Sequence, residues 1–164
     1  MVTNYHELYQ EYAQDVFRFA YWLCGNAQDA EDNTSETFVR ALTATGEIQM
    51  ATVKGYLLTI AKNLAFKRSR QAQHLVFLGP DLPTALDGPE QLTENKLNLQ
   101  SAMGFLQMFP AIDRAALLMR VQDDLTYEEI AAALGISLSA TKVKIHRARL
   151  KLAAYRTQQE EASS

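Results

Sequence analysis

An all-α fold of two small helical domains joined by a flexible linker is predicted by three features of this sequence. Apolar residues recur at three- and four-residue spacing through most of the chain, the period of a helix with one buried face. The apolar–polar alternation of a half-buried strand is almost absent. Three of the four prolines and two of the seven glycines crowd into residues 76–93, a density that breaks helices and marks a linker. The 164 residues suit one average domain or two small ones, each half then lying near the lower limit for independent folding. With 48% hydrophobic and 21% charged residues, neither disorder nor a fibrous repeat is indicated. The longest apolar run, Phe19 to Cys24, is far short of the roughly 20 residues of a membrane span. No basic start followed by an apolar stretch marks a signal peptide, so a cytoplasmic location is expected.

The first helix is capped by Asn4 and carries Tyr5, Leu8, Tyr9, Tyr12, Val16, Phe19, Ala20 and Leu23 on its apolar stripe. Gly25 ends it and Asn26 caps the next, the two positions those residue types favour. In the second helix Ala27, Ala30, Thr34, Phe38, Ala41 and Leu42 point inward, and Asp29, Asp32, Glu36 and Arg40 outward. A polar loop through Gly46 leads to a third helix with Val53, Leu57, Ile60, Ala61 and Leu64 on one stripe. The predicted units are residues 1–75, a linker over 76–96, a second unit over 97–158 and a tail over 159–164.

The second unit opens with a helix from about Leu97 to Phe109, stopped by Pro110, and a further one from about Ile112 to Gln122. Thr126-Tyr127-Glu128-Glu129 reads as a capping box, in which the threonine caps and the glutamate reaches back. The short helix that follows ends at Gly135, and Ser137 caps a longer, basic one. Short helix, glycine turn and basic helix form the helix-turn-helix pattern. Leu138, Thr141, Ile145, Ala148 and Leu152 line one side of the last helix. They should pack on Ile130, Ala131 and Leu134. The other side presents Ser139, Val143, His146, Arg147 and Lys151, with Lys142 at its flank, and Lys142, Val143, His146 and Arg147 are placed to reach base edges. Lys144, Arg149 and Lys151 are better placed for phosphates. A basic surface helix of an ordinary bundle is the plainer alternative.

The net charge of −3 hides sorted blocks. Asp29, Glu31, Asp32 and Glu36 form a cluster interrupted by no base, and Lys62, Lys67, Arg68 and Arg70 one interrupted by no acid. Six bases and no acid lie between Lys142 and Arg156. Such blocks suggest dedicated contact surfaces, although any one alone also reads as a solvated helix face. The single cysteine, Cys24, has no partner for an internal disulfide and should pack as a small hydrophobe. One cysteine and three scattered histidines leave a structural zinc site without ligands. No cofactor, metal or catalytic set is expected. Asp29 and Asp32, one turn apart, would suit a cation, but a charged docking face accounts for them more simply.

Four segments together resemble the sigma-70 family of RNA polymerase initiation factors, in its short extracytoplasmic-function group. Residues 26–32 (NAQDAED) with Glu36-Thr37-Phe38 look like the family's polymerase-binding signature. Residues 53–65 (VKGYLLTIAKNLA) are similar to its promoter-melting segment. Ile130-Ala131 with Gly135-Ile136-Ser137, and His146-Arg147-Ala148-Arg149, match its fourth region. The resemblance implies a non-enzymatic factor that directs core polymerase to promoters, melting the minus-ten element and reading the minus-thirty-five element. It also implies contacts with the clamp helices of the largest polymerase subunit and the flap of the second-largest. An anti-sigma factor, able to hold the chain at the membrane, would be a further partner.

Carried onto this chain, the resemblance gives polymerase binding to Asp29, Glu31, Asp32, Ser35 and Glu36. It gives minus-ten binding to Asn63 as a polar reader and to Lys62, Lys67, Arg68 and Arg70 as a phosphate track. Tyr56 or Phe66 would offer a stacking face, unless they are buried as most such aromatics are. Minus-thirty-five binding falls to Ser139, Lys142, Val143, Lys144, His146, Arg147 and Arg149. The acidic linker would thread the RNA exit channel. Four positions depart from the family pattern. Ser35 stands where glutamine is frequent, Asn33 where an aliphatic residue is, Tyr56 where tryptophan is and Lys67 where aspartate is. Asn33 and Ser35 keep open a relative that retains only polymerase binding. A dimeric helix-turn-helix regulator on a palindrome and a helical enzyme are the other readings.

Overall fold

The computed structural model describes residues 5–43, 50–78 and 94–163, with side-chain surroundings for 5–43, 50–71 and 99–162. The expected Asn4 cap, the loop through Gly46 and the linker core at 79–93 lie outside them. Among the described residues all regular structure is helical. The first three helices are α1 (Tyr5–Cys24), α2 (Ala27–Thr43) and α3 (Val53–Leu78). The remaining four are α4 (Glu94–Gln107), α5 (Ala111–Val121), α6 (Tyr127–Leu134) and α7 (Leu138–Ser163).

Local chemistry sets the helix ends. Gly25, at φ +92°, ends α1, its amide donating to the Tyr21 carbonyl at 2.9 Å. Asn26 caps α2 by accepting from the Asp29 amide at 2.8 Å. Thr52, not anticipated as a cap, does the same for α3 through the Gly55 amide at 3.0 Å. The capping box of α6 forms in both directions, and Gly135 closes that helix in the left-handed region at φ +67°. The Ser137 hydroxyl caps α7 through the Ala140 amide at 3.0 Å. Between α4 and α5, the Arg114 guanidinium donates to the carbonyls of Leu106, Gln107 and Phe109, satisfying groups a helix end leaves open.

Three helix ends fall inside the segments read as linker and tail. α3 runs to Leu78 and α4 begins at Glu94, so the helices enter the predicted 76–96 linker by three residues at each end. Val76-Phe77-Leu78 and Glu94-Asn95-Lys96 hold no breaker; Gly79-Pro80 is the first stop signal. α7 likewise reaches Ser163 through the predicted tail, which contains neither glycine nor proline.

The N-terminal half buries Val16, Phe19, Phe38, Leu57 and Leu58 almost completely. Ala27 and Leu42, expected inward, are exposed; they sit at the ends of the α2 stripe, and Leu42 lines a cleft instead. Leu138 of the predicted α7 stripe is exposed, but in the C-terminal half Ala115, Met119, Ile130, Thr141 and Ile145 are buried. These buried residues of both halves, except Thr141, belong to one apolar cluster. Small units bury too little surface alone, and here each half covers an apolar face of the other.

The seam between the halves also carries polar contacts. Gln107 Nε2 donates to the Trp22 carbonyl at 3.0 Å, and Trp22 packs against both that cluster and a second one of Leu106, Phe109, Leu117 and Ala148. Thr52 Oγ1 donates to Glu129 Oε2 at 2.6 Å, so the cap of α3 is bonded to the capping box of α6. Gly55 faces this pair: a Cβ there would stand 2.9 Å from Glu129 Oε2. The Asp123 side chain has no exposed surface and faces Arg18 at 3.6 Å and Lys54 at 3.5 Å. Burial outweighs those two cations and pushes its carboxyl up to about 6.

Candidate protein and nucleic-acid interfaces

The acidic face lies along α2. Asp32, Glu36 and Ser35 are exposed, Glu31 is exposed, and Asp29 is half-buried at the helix start. Asp29 is oriented by Asn26, whose Nδ2 donates to Asp29 Oδ2 at 2.9 Å. Glu31 and Ser35 share with Tyr9, Phe17 and Arg18 a cleft between α1 and α2. Carboxylates in the first turn of a helix are favoured by its dipole, so Asp29 serves helix and surface alike. Asn33 does not join this face. It is buried, donates to the Ala61 carbonyl at 2.9 Å and accepts from Thr37 Oγ1 at 3.1 Å. It ties α2 to α3 where an aliphatic residue would only pack.

The basic face of α3 is brought together in part. Asn63, Lys67, Arg68 and Arg70 are exposed. Lys62, expected in the phosphate track, is buried, because it shares a stripe with Leu58 and Ala65. Its Nζ stands 5.6 Å from the Phe66 ring centroid, and burial lowers its pKa. Phe66 is half-buried against the core. Tyr56 is half-buried and lines a cleft of about 340 Å³ with Leu42, Met50, Thr52 and Val53. Sequence reading missed this cleft; Thr52, three residues before Gly55, was the signal for its rim.

Arg68 crosses between the two faces. Its guanidinium meets Asp29 Oδ1 at 2.9 Å and Asp32 Oδ2 at 3.5 Å. Arg40 pairs with Glu36 at 3.0 Å. A polar groove between α2 and α3 is lined by Asp32, Glu36, Arg40, Lys67, Arg68 and Gln71.

On α7, Ser139, Lys142, Val143, His146, Arg147, Arg149 and Lys151 are all exposed, opposite the buried Thr141, Ile145 and Ala148. Lys144, expected at phosphates, is half-exposed and already bonded to Asp113 at 3.0 Å. Val143, 46% exposed among cations, presents an apolar surface of the kind that meets a thymine methyl. Cys24 is half-buried, and burial pushes its thiol up to about 11, which fits a packing role. Among the described residues no helix is long and apolar enough to cross a membrane. Nor does any group of three or more His, Cys, Asp or Glu residues there converge to hold a metal ion.

Residues 8–74 match sigma-70 region 2, and residues 99–152 match sigma-70 region 4. The RNA polymerase sigma factor EcfG of Rhodopseudomonas palustris is 31% identical over 141 residues, covering 83% of this chain and 76% of that protein. The chain belongs to the extracytoplasmic-function group of the sigma-70 family. SigE of Mycolicibacterium smegmatis is 34% identical over 159 residues; 94% of this chain matches it, spanning 62% of the relative's length. The sigma factor RpoE of Bartonella quintana, solved in complex with the anti-sigma factor NepR, superposes with a TM-score of 0.74 at 25% identity, over 92% of this chain and 95% of that one. The two sigma regions fall on α1–α3 and α4–α7, so acidic α2 and basic α3 share one region and the helix-turn-helix occupies the other.

Proposed function

We infer that this sigma factor directs core RNA polymerase to promoters through three surfaces. The acidic face of α2 docks on a cationic polymerase surface, that of the clamp helices. The exposed part of α3, with the Tyr56 cleft beside it, holds the minus-ten strand. The outer face of α7 reads the minus-thirty-five duplex. The observation that carries the reading is the placement of opposite charges: carboxylates on α2, and cations on α3 and the face of α7 away from the core. No covalent chemistry is involved. Melting is driven by capture of unpaired bases, whose stacking on aromatic side chains is favourable by about 1–3 kcal/mol each. The Tyr56 ring at the cleft wall is the better placed stacking face, because Phe66 is engaged with Lys62 and the core.

The seam constrains the mechanism. The two promoter elements lie about 25 base pairs apart, or ~85 Å along the duplex. In this arrangement α3 touches α6, and α7 packs on α6. A helix of 8 residues such as α6 spans only about 12 Å. Simultaneous contact with both elements therefore requires the halves to part, with the chain between α3 and α4 as the tether. An anti-sigma factor is a natural further partner, as RpoE has in NepR, and the closed arrangement is the state it would hold. Action in the cytoplasm, where polymerase and promoters meet, follows from this reading.

The test is reconstitution. Purified chain is added to core polymerase on genomic DNA and transcript 5′ ends are sequenced. Promoter-specific starts are expected, and a variant with Asp29, Asp32 and Glu36 replaced by lysine should fold but fail to assemble. Palindrome binding by the lone chain, without association to core, would overturn the proposal.

A further inference from the structure

Two of the carboxylates assigned to polymerase docking are already neutralised by a cation assigned to DNA. Arg68 bridges Asp29 and Asp32 across the groove between α2 and α3. All three side chains keep substantial solvent contact, from 39% to 59% of their surface, so the pairs are exchangeable rather than locked in the core. A cationic protein surface approaching α2 competes directly with the guanidinium. A phosphate approaching α3 competes directly with the carboxylates. Each partner thus removes what opposes the other.

We propose that Arg68 is an exchange residue: it occupies the acidic docking face in the free chain, polymerase displaces it, and the freed guanidinium takes a promoter phosphate. Polymerase and minus-ten DNA are thereby positively coupled through one side chain, and linkage makes that coupling reciprocal. The inference rests on the assignment of α2 to polymerase docking. It explains why bases and acids stand on adjoining helices instead of opposite sides of the bundle. It also gives the free factor a means of suppressing stray contacts with nucleic acid, since the paired Arg68 presents little net charge. Exposed ion pairs are weak, so the effect is a tuning of about two- to fivefold.

The experiment measures affinity of the full chain for core polymerase by fluorescence anisotropy, with and without a forked minus-ten oligonucleotide from a promoter mapped by reconstitution. Arg68→Gln should bind core about two- to fivefold more tightly than the natural chain in the absence of DNA. The same variant should lose the enhancement of core affinity that the oligonucleotide gives the natural chain. Arg68→Lys, which keeps the charge, should retain most of that enhancement. Arg68→Gln binding core equally or more weakly would overturn the exchange, since the guanidinium would then be neutral to docking or organising the acids for it. The double variant Asp29→Asn with Asp32→Asn separates this from a failure of the docking assignment. If it binds core normally, the assignment itself falls; if it binds weakly while Arg68→Gln does not tighten, only the exchange falls. Circular dichroism melts of each variant verify that the fold is retained.

Discussion

Replacing Asp123 by asparagine should strengthen the closed molecule at neutral pH, although it deletes a carboxylate facing two cations. The side chain is fully buried where the halves meet, with Arg18 at 3.6 Å, Lys54 at 3.5 Å and the Asp15 carboxylate nearby. Its pKa is raised from 3.8 to about 6, with burial the largest cause. A raised carboxyl pKa means that the folded, closed state binds the proton more tightly than the opened or unfolded one. The stabilisation of the protonated form is therefore fully present below about pH 4 and lost as pH rises through about 6. At 1.36 kcal/mol per unit, the ionised form costs about 3 kcal/mol above neutrality. Asparagine has nearly the same shape and no charge to desolvate. Trp22, the single tryptophan, lies at the seam and reports its opening by fluorescence. Urea titrations from about pH 4.5 to about pH 7.5 should show Asp123→Asn more stable than the natural chain by up to about 3 kcal/mol at the upper end. The gap should narrow by about 2 kcal/mol toward the lower end. A variant less stable than the natural chain at neutral pH would refute the reasoning, because the ion pairs would then outweigh desolvation.

Gly55→Ala should loosen the seam without harming α3, since the new methyl crowds Glu129 and Thr52 while alanine raises helix propensity by about 0.8–1 kcal/mol; a red-shifted Trp22 with unchanged helicity checks this. Asn33→Leu should destabilise the N-terminal half by about 1 kcal/mol by removing its bonds to the Ala61 carbonyl, which keeps its helical partner, and to the Thr37 hydroxyl. Its affinity for core polymerase, measured on the folded fraction, should stay within twofold or so. Thr126→Ala removes the cap of α6 and should cost about 1 kcal/mol in urea unfolding, with a parallel weakening of binding to minus-thirty-five duplex. On α7, Arg147→Ala should relax base preference at one position by about 1–3 kcal/mol, whereas Arg149→Ala should weaken binding to all duplexes and flatten its salt dependence; competition binding at several salt concentrations separates them.

Much of the site was legible because its signals are local. Caps and glycine stops depend on a few neighbouring residues, so Asn26, Gly25, Thr126, Gly135 and Ser137 were readable one by one. The outward face of α7 follows from a helical wheel, as does the acidic face of α2. Lys62 was expected at the surface because it is basic by type, yet it sits where the packed core covers it. Periodicity places a residue on a face but does not say how wide the covered part is. Lys144 is half-exposed, and its engagement by Asp113 depends on α5, 31 residues away in the chain.

The sequence by itself determined the helices, their capping, the two charged faces and the family, since each is written in short-range pattern or in the order of motifs. Only the tertiary structure decided which charges meet and which surfaces are lost. Arg68 finds Asp29 and Asp32 across 39 and 36 residues, Glu129 finds Thr52 across 77, and Asp123 is closed off from water by the opposite half. Such pairings depend on how two apolar faces are brought together, a free energy summed over the whole packed seam that no local stretch of chain encodes.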